Sequence, residues 1–148
     1  MAAPRLNALE NESWRGLLYA HDHLWREVEA GLAVVNVSMA EYSVLSLLAD
    51  AGDAGMRMSE LARRRVMSTG GFTRLADRLD RRGLIERRRA EQDGRGLVAV
   101  LTPQGRALLR RAWRQHRADL QRLFFDRLDE QDLQDLARVW SKLVPGGE

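Results

Sequence analysis

Residues 59–101 constrain the fold of this chain more than any other stretch. Phe72, Leu75, Ala76 and Leu79 recur at i, i+3, i+4 and i+7, which lays one apolar stripe along a helix. Ser68 or Thr69 starts that helix, and it runs to about Arg82. Gly83 follows, the residue preferred just past a helix C-terminus. A shorter helix precedes it, capped by Ser59, running from Glu60 to Arg65 and burying Leu61 and Ala62. Val66-Met67 is the turn between the two. Leu84–Arg89 and Leu97–Leu101 then read as two strands joined by a polar, Gly-containing tip. Two short helices, a tight turn and a hairpin in this order predict a winged helix-turn-helix.

The flanks read as helices. Residues 9–32 place Leu17, Leu18, His21, Leu24, Trp25, Val28 and Leu32 at three- and four-residue steps. Ala33–Val37 is a connector. Ser38 with Glu41 three residues on is a capping box for a helix carrying Tyr42, Leu45, Leu47 and Leu48. That helix stops near Gly52, and Met56–Met58 is a short extended piece. Thr102 caps a long helix with Pro103 at its first position, reaching about Phe125. A last helix begins at Asp129 and ends before Pro145. The expected fold class is mainly α with a small β-wing. Three segments follow: an N-terminal dimerisation helix (1–36), the winged helix-turn-helix (37–102), and C-terminal dimerisation helices (103–148).

Charge is unevenly distributed. Residues 1–58 carry 4 Arg against 8 acids, whereas residues 59–95 carry 11 Arg against 6 acids. The cations are nearly all Arg, whose planar fork suits phosphates and base edges. On the exposed front of the second helix lie Thr69, Gly70, Thr73, Arg74, Asp77, Arg78 and Arg81. An α-helix fits the major groove of DNA, where Arg reads guanine and Thr meets a thymine methyl or a phosphate. The wing, about Arg87–Leu97, offers Arg87, Arg88, Arg89 and Arg95. Arg95 at its tip suits the minor groove, with Asp93 bracing it or capping the turn. The expected DNA-contacting residues are therefore Ser68, Thr69, Gly70, Thr73, Arg74, Arg78, Arg88, Arg89, Asp93 and Arg95.

The string MSELARRRVMSTGGFTRLADRLDRRGLIERRRAEQDGRGLVAVLTPQGRALL, Met58 to Leu109, resembles the MarR family of bacterial transcriptional regulators. The resemblance rests on the TRLADRLDRRGLIER segment, the Asp93-x-Arg95 wing tip and the LTPQGRALL segment. It extends to the flanking helices and so to nearly the whole chain. Two departures stand out: Gly94 and Gly96 flank Arg95, and Gly70-Gly71 leaves fewer side chains for base reading. The family implies a homodimer on a near-palindromic duplex operator. The apolar faces of the terminal helices, with Leu120, Leu123 and Leu136 among them, independently require a partner.

The resemblance also implies a small aromatic or phenolic effector, with Trp14, His21, Trp25, Tyr42, Trp113 and His116 as candidate pocket residues. The same residues suit a dimer core with locally satisfied histidines. No resident cofactor or metal is expected: His21 and His23 lie about 200° apart on a helix and cannot readily share an ion. The chain has no cysteine, which removes disulfides, thiolate metal sites and Cys nucleophiles. It shows no nucleophile elbow or phosphate loop, so an enzyme is not expected. No apolar run approaches the roughly 18 residues of a membrane span, and a cytoplasmic location is the default. The expected function is a ligand-released repressor. The alternatives are a regulator without a small-molecule ligand and a helical interaction module that never touches DNA.

Overall fold

The computed structural model describes residues 5–64, 69–89 and 96–144. The elements run α1 (Ala8–Val34), α2 (Met39–Ala51), β1 (Met56–Arg57), α3 (Met58–Arg64), α4 (Thr69–Arg81), β2 (Ile85–Arg89), β3 (Leu97–Leu101), α5 (Pro103–Leu123) and α6 (Glu130–Leu143). Short 3₁₀ turns follow α2 and α5. The order is the expected one. Two local differences matter. Met58 already belongs to α3, so the helix begins one residue before the expected cap at Ser59. The extended piece before it is also a true edge strand: Met56 pairs with Ala99 and Arg57 with Val98. The sheet therefore has three antiparallel strands in the order β1-β3-β2, not a lone hairpin. A two-residue strand has too few residues to show a period-two pattern, and only its pairing reveals it.

The chain divides into two compact units, Met1–Val28 with Arg117–Glu148, and Glu29–His116. The second unit holds most of the core. Phe72, Leu75, Ala76 and Leu79 of α4 are all buried, as their spacing requires. Burying each of the three larger ones contributes about 1.5–3 kcal/mol relative to exposure. They share the interior with Val44, Leu45 and Leu48 of α2, Leu61 of α3, Ile85 of β2, and Ala99, Val100 and Leu101 of β3.

Helix ends in this unit are closed by specific hydrogen bonds. Asn36 ends α1 in the left-handed region (φ 58°), a conformation asparagine tolerates better than most side chains. Its N–H donates to Ala33 O (2.9 Å), and that of Val37 donates to Leu32 O (3.2 Å). Gly83 (φ 66°) repeats this arrangement after α4, with Gly83 N bonded to Asp80 O and Leu84 N to Leu79 O. Both are Schellman closures, which satisfy the last orphan carbonyls of a helix. Thr102 caps α5 by accepting from Gly105 N (3.0 Å), while its hydroxyl donates to Gly83 O (2.7 Å).

The first unit is apolar but thinly packed. Among its described residues only Val28 and Leu123 are buried hydrophobics, with Asp119 as a buried polar group bonded to Arg122 (3.3 Å). Leu123 was expected at a shared interface; at 6% exposure it is already covered within one chain. Trp14, Leu18, Tyr19, Trp25, Trp140 and Leu143 remain exposed. No single helix among the described residues is long and apolar enough to cross a membrane.

Gly105 marks the tightest backbone approach. A Cβ there would lie 2.0 Å from Leu84 O and 2.8 Å from the Leu101 side chain. Gly105→Ala should therefore lower stability by about 3 kcal/mol in urea denaturation, the upper end of overpacking costs, because a backbone oxygen must move. Gly70→Ala is the control: nothing lies within 4 Å of its Cβ, so stability should hold or rise slightly.

Candidate nucleic-acid interface

The sequence places α4 as the element that faces a partner, and ion pairs on its flanks set how it is held. Glu41 is the hub. It is the third residue of α2 and only 6% exposed. Its backbone N–H donates to Ser38 Oγ (3.1 Å) and its carboxylate accepts from Ser38 N (3.1 Å), the expected capping box. The same carboxylate reaches α4. Arg82 Nη1 donates to it at 3.0 Å, and Arg78 Nε lies 3.5 Å away. Arg82 Nη2 donates to the carbonyl of Asn36 (2.7 Å), an oxygen that the α1 closure leaves outside the helix. One carboxylate thus closes the start of α2 and grips the end of α4. Sequence reasoning found the capping box; the α4 contacts lie 37 and 41 residues away and carry no local signal.

The wing grips the other flank. Ile85, Arg87 and Arg89 alternate onto one face of β2, and Ile85 is buried. Arg87 follows it inward, with its side chain only 20% exposed, and pairs with Asp77 and Asp80 of α4 (3.3 Å to Asp80). Asp77 and Asp80 would otherwise face an approaching polyanion uncompensated. Arg87 offsets them and ties the wing strand to the helix. Arg88, on the opposite face, pairs with Glu86 (3.0 Å), whose carboxyl is held below its usual range by that guanidinium.

The remaining expected contact residues divide clearly. Gly70, Thr73 and Arg74 are exposed on the front of α4, and Arg89 is exposed at the end of β2. Neither Arg74 nor Arg89 has a hydrogen bond or ion pair among the described residues. Arg78 is half-exposed but leans on Glu41, and Arg81 donates to the Asp77 carbonyl (3.3 Å). Ser68, Asp93 and Arg95 lie outside the described residues, as does the side chain of Thr69. Arg57, exposed on the edge strand, was not anticipated; its guanidinium would lie 3.8 Å from a Cβ at Gly96, which sets it at the base of the wing.

The six candidate pocket residues fall into two groups. Tyr42, Trp113 and His116 form a ring cluster in the second unit, with centroids of Tyr42 and His116 4.9 Å apart and of Trp113 and His116 6.2 Å apart. Burial raises the Tyr42 pKa, partly offset by its hydrogen bond with Ser46. In the first unit His21 stacks on Trp25 (5.8 Å), and Trp14 is 55% exposed.

Comparison with known proteins agrees with this architecture. A MarR family profile matches residues 35–96. AbsC, a MarR family transcriptional regulator from Streptomyces coelicolor, is 30% identical, with 95% of each chain covered and a TM-score of 0.88. Sco3205, a MarR family regulator from the same organism solved in complex with DNA, is 28% identical with a TM-score of 0.84. It covers 99% of this chain and 95% of its own. The HTH-type transcriptional repressor Rv2887 of Mycobacterium tuberculosis is 31% identical over 86 residues, 58% of this chain and 60% of that repressor. The match thus spans less than two thirds of the curated relative's length.

Glu41→Gln keeps the shape of the hub and removes its charge, leaving Arg78 and Arg82 without their counter-ion. Because both arginines are partly solvated, the expected loss is about 1–2 kcal/mol rather than the larger cost of a fully buried orphan charge. Urea denaturation of the two proteins at one pH measures it.

Proposed function

The chain belongs to the MarR family of transcriptional regulators, and on that premise we propose that it is a dimeric, sequence-specific DNA-binding repressor released by a small aromatic or phenolic ligand. The observation that carries the DNA reading is the sorting of arginines around α4. Arg78, Arg82, Arg87 and Arg88 are held by carboxylates, whereas Arg74 and Arg89 are exposed and have no partner among the described residues. The first set orients the helix and wing. The second is left to a ligand outside the chain, and duplex DNA supplies base edges and phosphates at the required spacing.

In this reading α4 lies in the major groove with its N-terminal turn deepest. Gly70 has open space around its Cβ, so internal packing does not demand a glycine there. A bare backbone at that position lets the helix end approach the groove floor. Arg74, one turn on, meets a base edge, while Arg89 and the wing residues Asp93 and Arg95 serve the flanking backbone and minor groove. The helix-turn-helix and wing, residues 37–102, form the reading head, and segments 1–36 and 103–148 pair two copies. The exposed Trp14, Leu17 and Leu18 of α1 and Val139, Trp140 and Leu143 of α6 supply the apolar surface for that pairing. Two-fold pairing sets two heads on half-sites about one helical turn apart. Occupancy of such an operator represses by excluding other proteins from the same duplex.

Arg74→Ala should weaken operator binding by about 1–3 kcal/mol and relax base preference at one position per half-site. Arg89→Ala should weaken operator and scrambled duplex alike and lower the salt slope by about one per contact. Isotherms on both duplexes across a salt series decide between these roles. If Arg74→Ala affected both duplexes equally, α4 would be anchoring and not reading.

Assembly gives a separate test. Light scattering should report twice the mass of the chain at micromolar concentration. Trp140→Glu should shift it to monomer with the helix content of the second unit retained, because the substitution places a charge in the apolar contact.

A further inference from the structure

The only carboxylate in α5 is Asp119, which is buried, whereas residues 103–116 of the helix carry Arg106, Arg110, Arg111 and Arg114. At about 100° per residue these four arginines fall within an arc of about 140°, with Ala107 between Arg114 and Arg111. Ala107, Arg110, Arg111 and Arg114 are exposed. Arg106, at the edge of the arc, pairs with Asp53 (3.1 Å). Arg110, Arg111 and Arg114 have no hydrogen bond or ion pair among the described residues. The result is a cationic ridge with a small residue at its crest and no acid to offset it.

This ridge adjoins the far end of α4. Arg111 lines a cleft with Arg82 and Leu84, and Gln104 Nε2 donates to the Arg82 carbonyl (3.2 Å). Arg82 directly follows α4, whereas Gly70 and Arg74 lie toward the other end of a helix about 20 Å long. A duplex read by the N-terminal turn of α4 is therefore at the opposite end from the ridge. Two such ridges repel each other, so association of two copies through the apolar faces of α1 and α6 does not bury them against one another.

We propose that the α5 ridge is a second, sequence-independent site for duplex DNA, through which the protein holds a second DNA segment while α4 occupies its operator. A helix fits the major groove, and the small crest at Ala107 lets the backbone come close to its floor. Arg110 and Arg114 reach the phosphates of one groove wall and Arg111 those of the other. The crest has no amide or hydroxyl side chain to read a base edge, so the contact is with the backbone alone. Bridging of two segments rests on the operator-binding reading above; duplex binding by the ridge does not.

The test uses the full chain at about 50 mM salt, where phosphate contacts are strong. Operator duplex is fixed to beads and saturated with protein, and a labelled random-sequence duplex is then added. The native chain should capture it. The triple variant Arg110→Gln, Arg111→Gln, Arg114→Gln places a good helix former at three exposed positions and should fold normally. It should bind operator with native affinity and capture the second duplex about tenfold less, with the salt slope of that second step lower by about 2.7, three contacts at roughly 0.9 each. Side-chain NMR of arginine Nε–H groups, with random duplex added to the free chain, should show shifts at Arg110, Arg111 and Arg114, and these should persist in Arg74→Ala.

If the triple variant captures the second duplex as well as the native chain, the ridge is not the site and the proposal is overturned. If the variant loses operator affinity in the same proportion as capture, the ridge touches the operator duplex itself, and bridging is overturned. If the three arginine signals respond to poly-L-glutamate and not to duplex, the ridge faces an acidic protein and the proposal falls. If the chain binds no operator, the functional reading fails, while the shifts at the three arginines still judge the ridge.

Discussion

A buried carboxylate between two helices needs partners on every side, and Glu41 obtains them from two segments. Ser38 closes the start of α2 around it, while Arg82 and Arg78 reach it from the end of α4. The arrangement cannot form piecemeal. An unpaired carboxylate in that position would carry a desolvation cost with nothing to offset it, so α2 and α4 dock in one register or lose the pair. The Asn36 carbonyl adds a third tie, because its exposure follows from the left-handed closure of α1 and it accepts from the same guanidinium. The orientation of α4 is thereby fixed at its C-terminal end.

That polarity explains how charge is used around the helix. A basic face that binds nothing internally would repel itself and hold no defined geometry; one that is fully paired would have nothing to offer a polyanion. Here the cations nearest the sheet and the end of the helix are neutralised. Arg87 lies inward against Asp77 and Asp80, and Arg88 is engaged by Glu86 on the outer face of the strand. Asp77 and Asp80 cost affinity for DNA unless compensated, yet they hold the wing at a set angle to the helix. Pairing most of these arginines internally limits the side chains that a partner must order, since ordering each long side chain on binding costs entropy.

The sequence was legible where signals were local. The i, i+3, i+4, i+7 stripe of α4, the Ser38 capping box, Asp129 at the start of α6, Gly83 past α4, and Thr102-Pro103 at the start of α5 all place an element by residues within one turn of its end. What could not be read is long-range. Two residues of β1 join the sheet through Ala99 and Val98, over forty positions away. The second role of Glu41 spans a similar distance. Arg87 looks like any other arginine in a run of three, and only the alternation that buries Ile85 turns it inward. Leu123 shows what spacing leaves open: an apolar residue on a terminal helix suits an interface or a protomer interior equally well, and within one chain it is already buried.

The thin packing of the first unit has a thermodynamic consequence. Glu29–His116 holds a full core, capped helices and a sheet. Among its described residues, Met1–Val28 with Arg117–Glu148 buries little beyond Val28, Leu123 and Asp119, yet leaves five large aromatic side chains in water. Helices of this length gain most of their stability from burying an apolar face, not from intrinsic propensity. A unit so composed would gain order from a second surface, and under the proposed pairing its stability would depend on protomer concentration. Residues 29–116 are stabilised by their own contacts, whereas the terminal helices would gain most from the pairing proposed above. If two copies pair as proposed, dilution would loosen that pairing before it unfolded either second unit, and the loss of affinity for a two-fold operator would precede the loss of the fold that reads it.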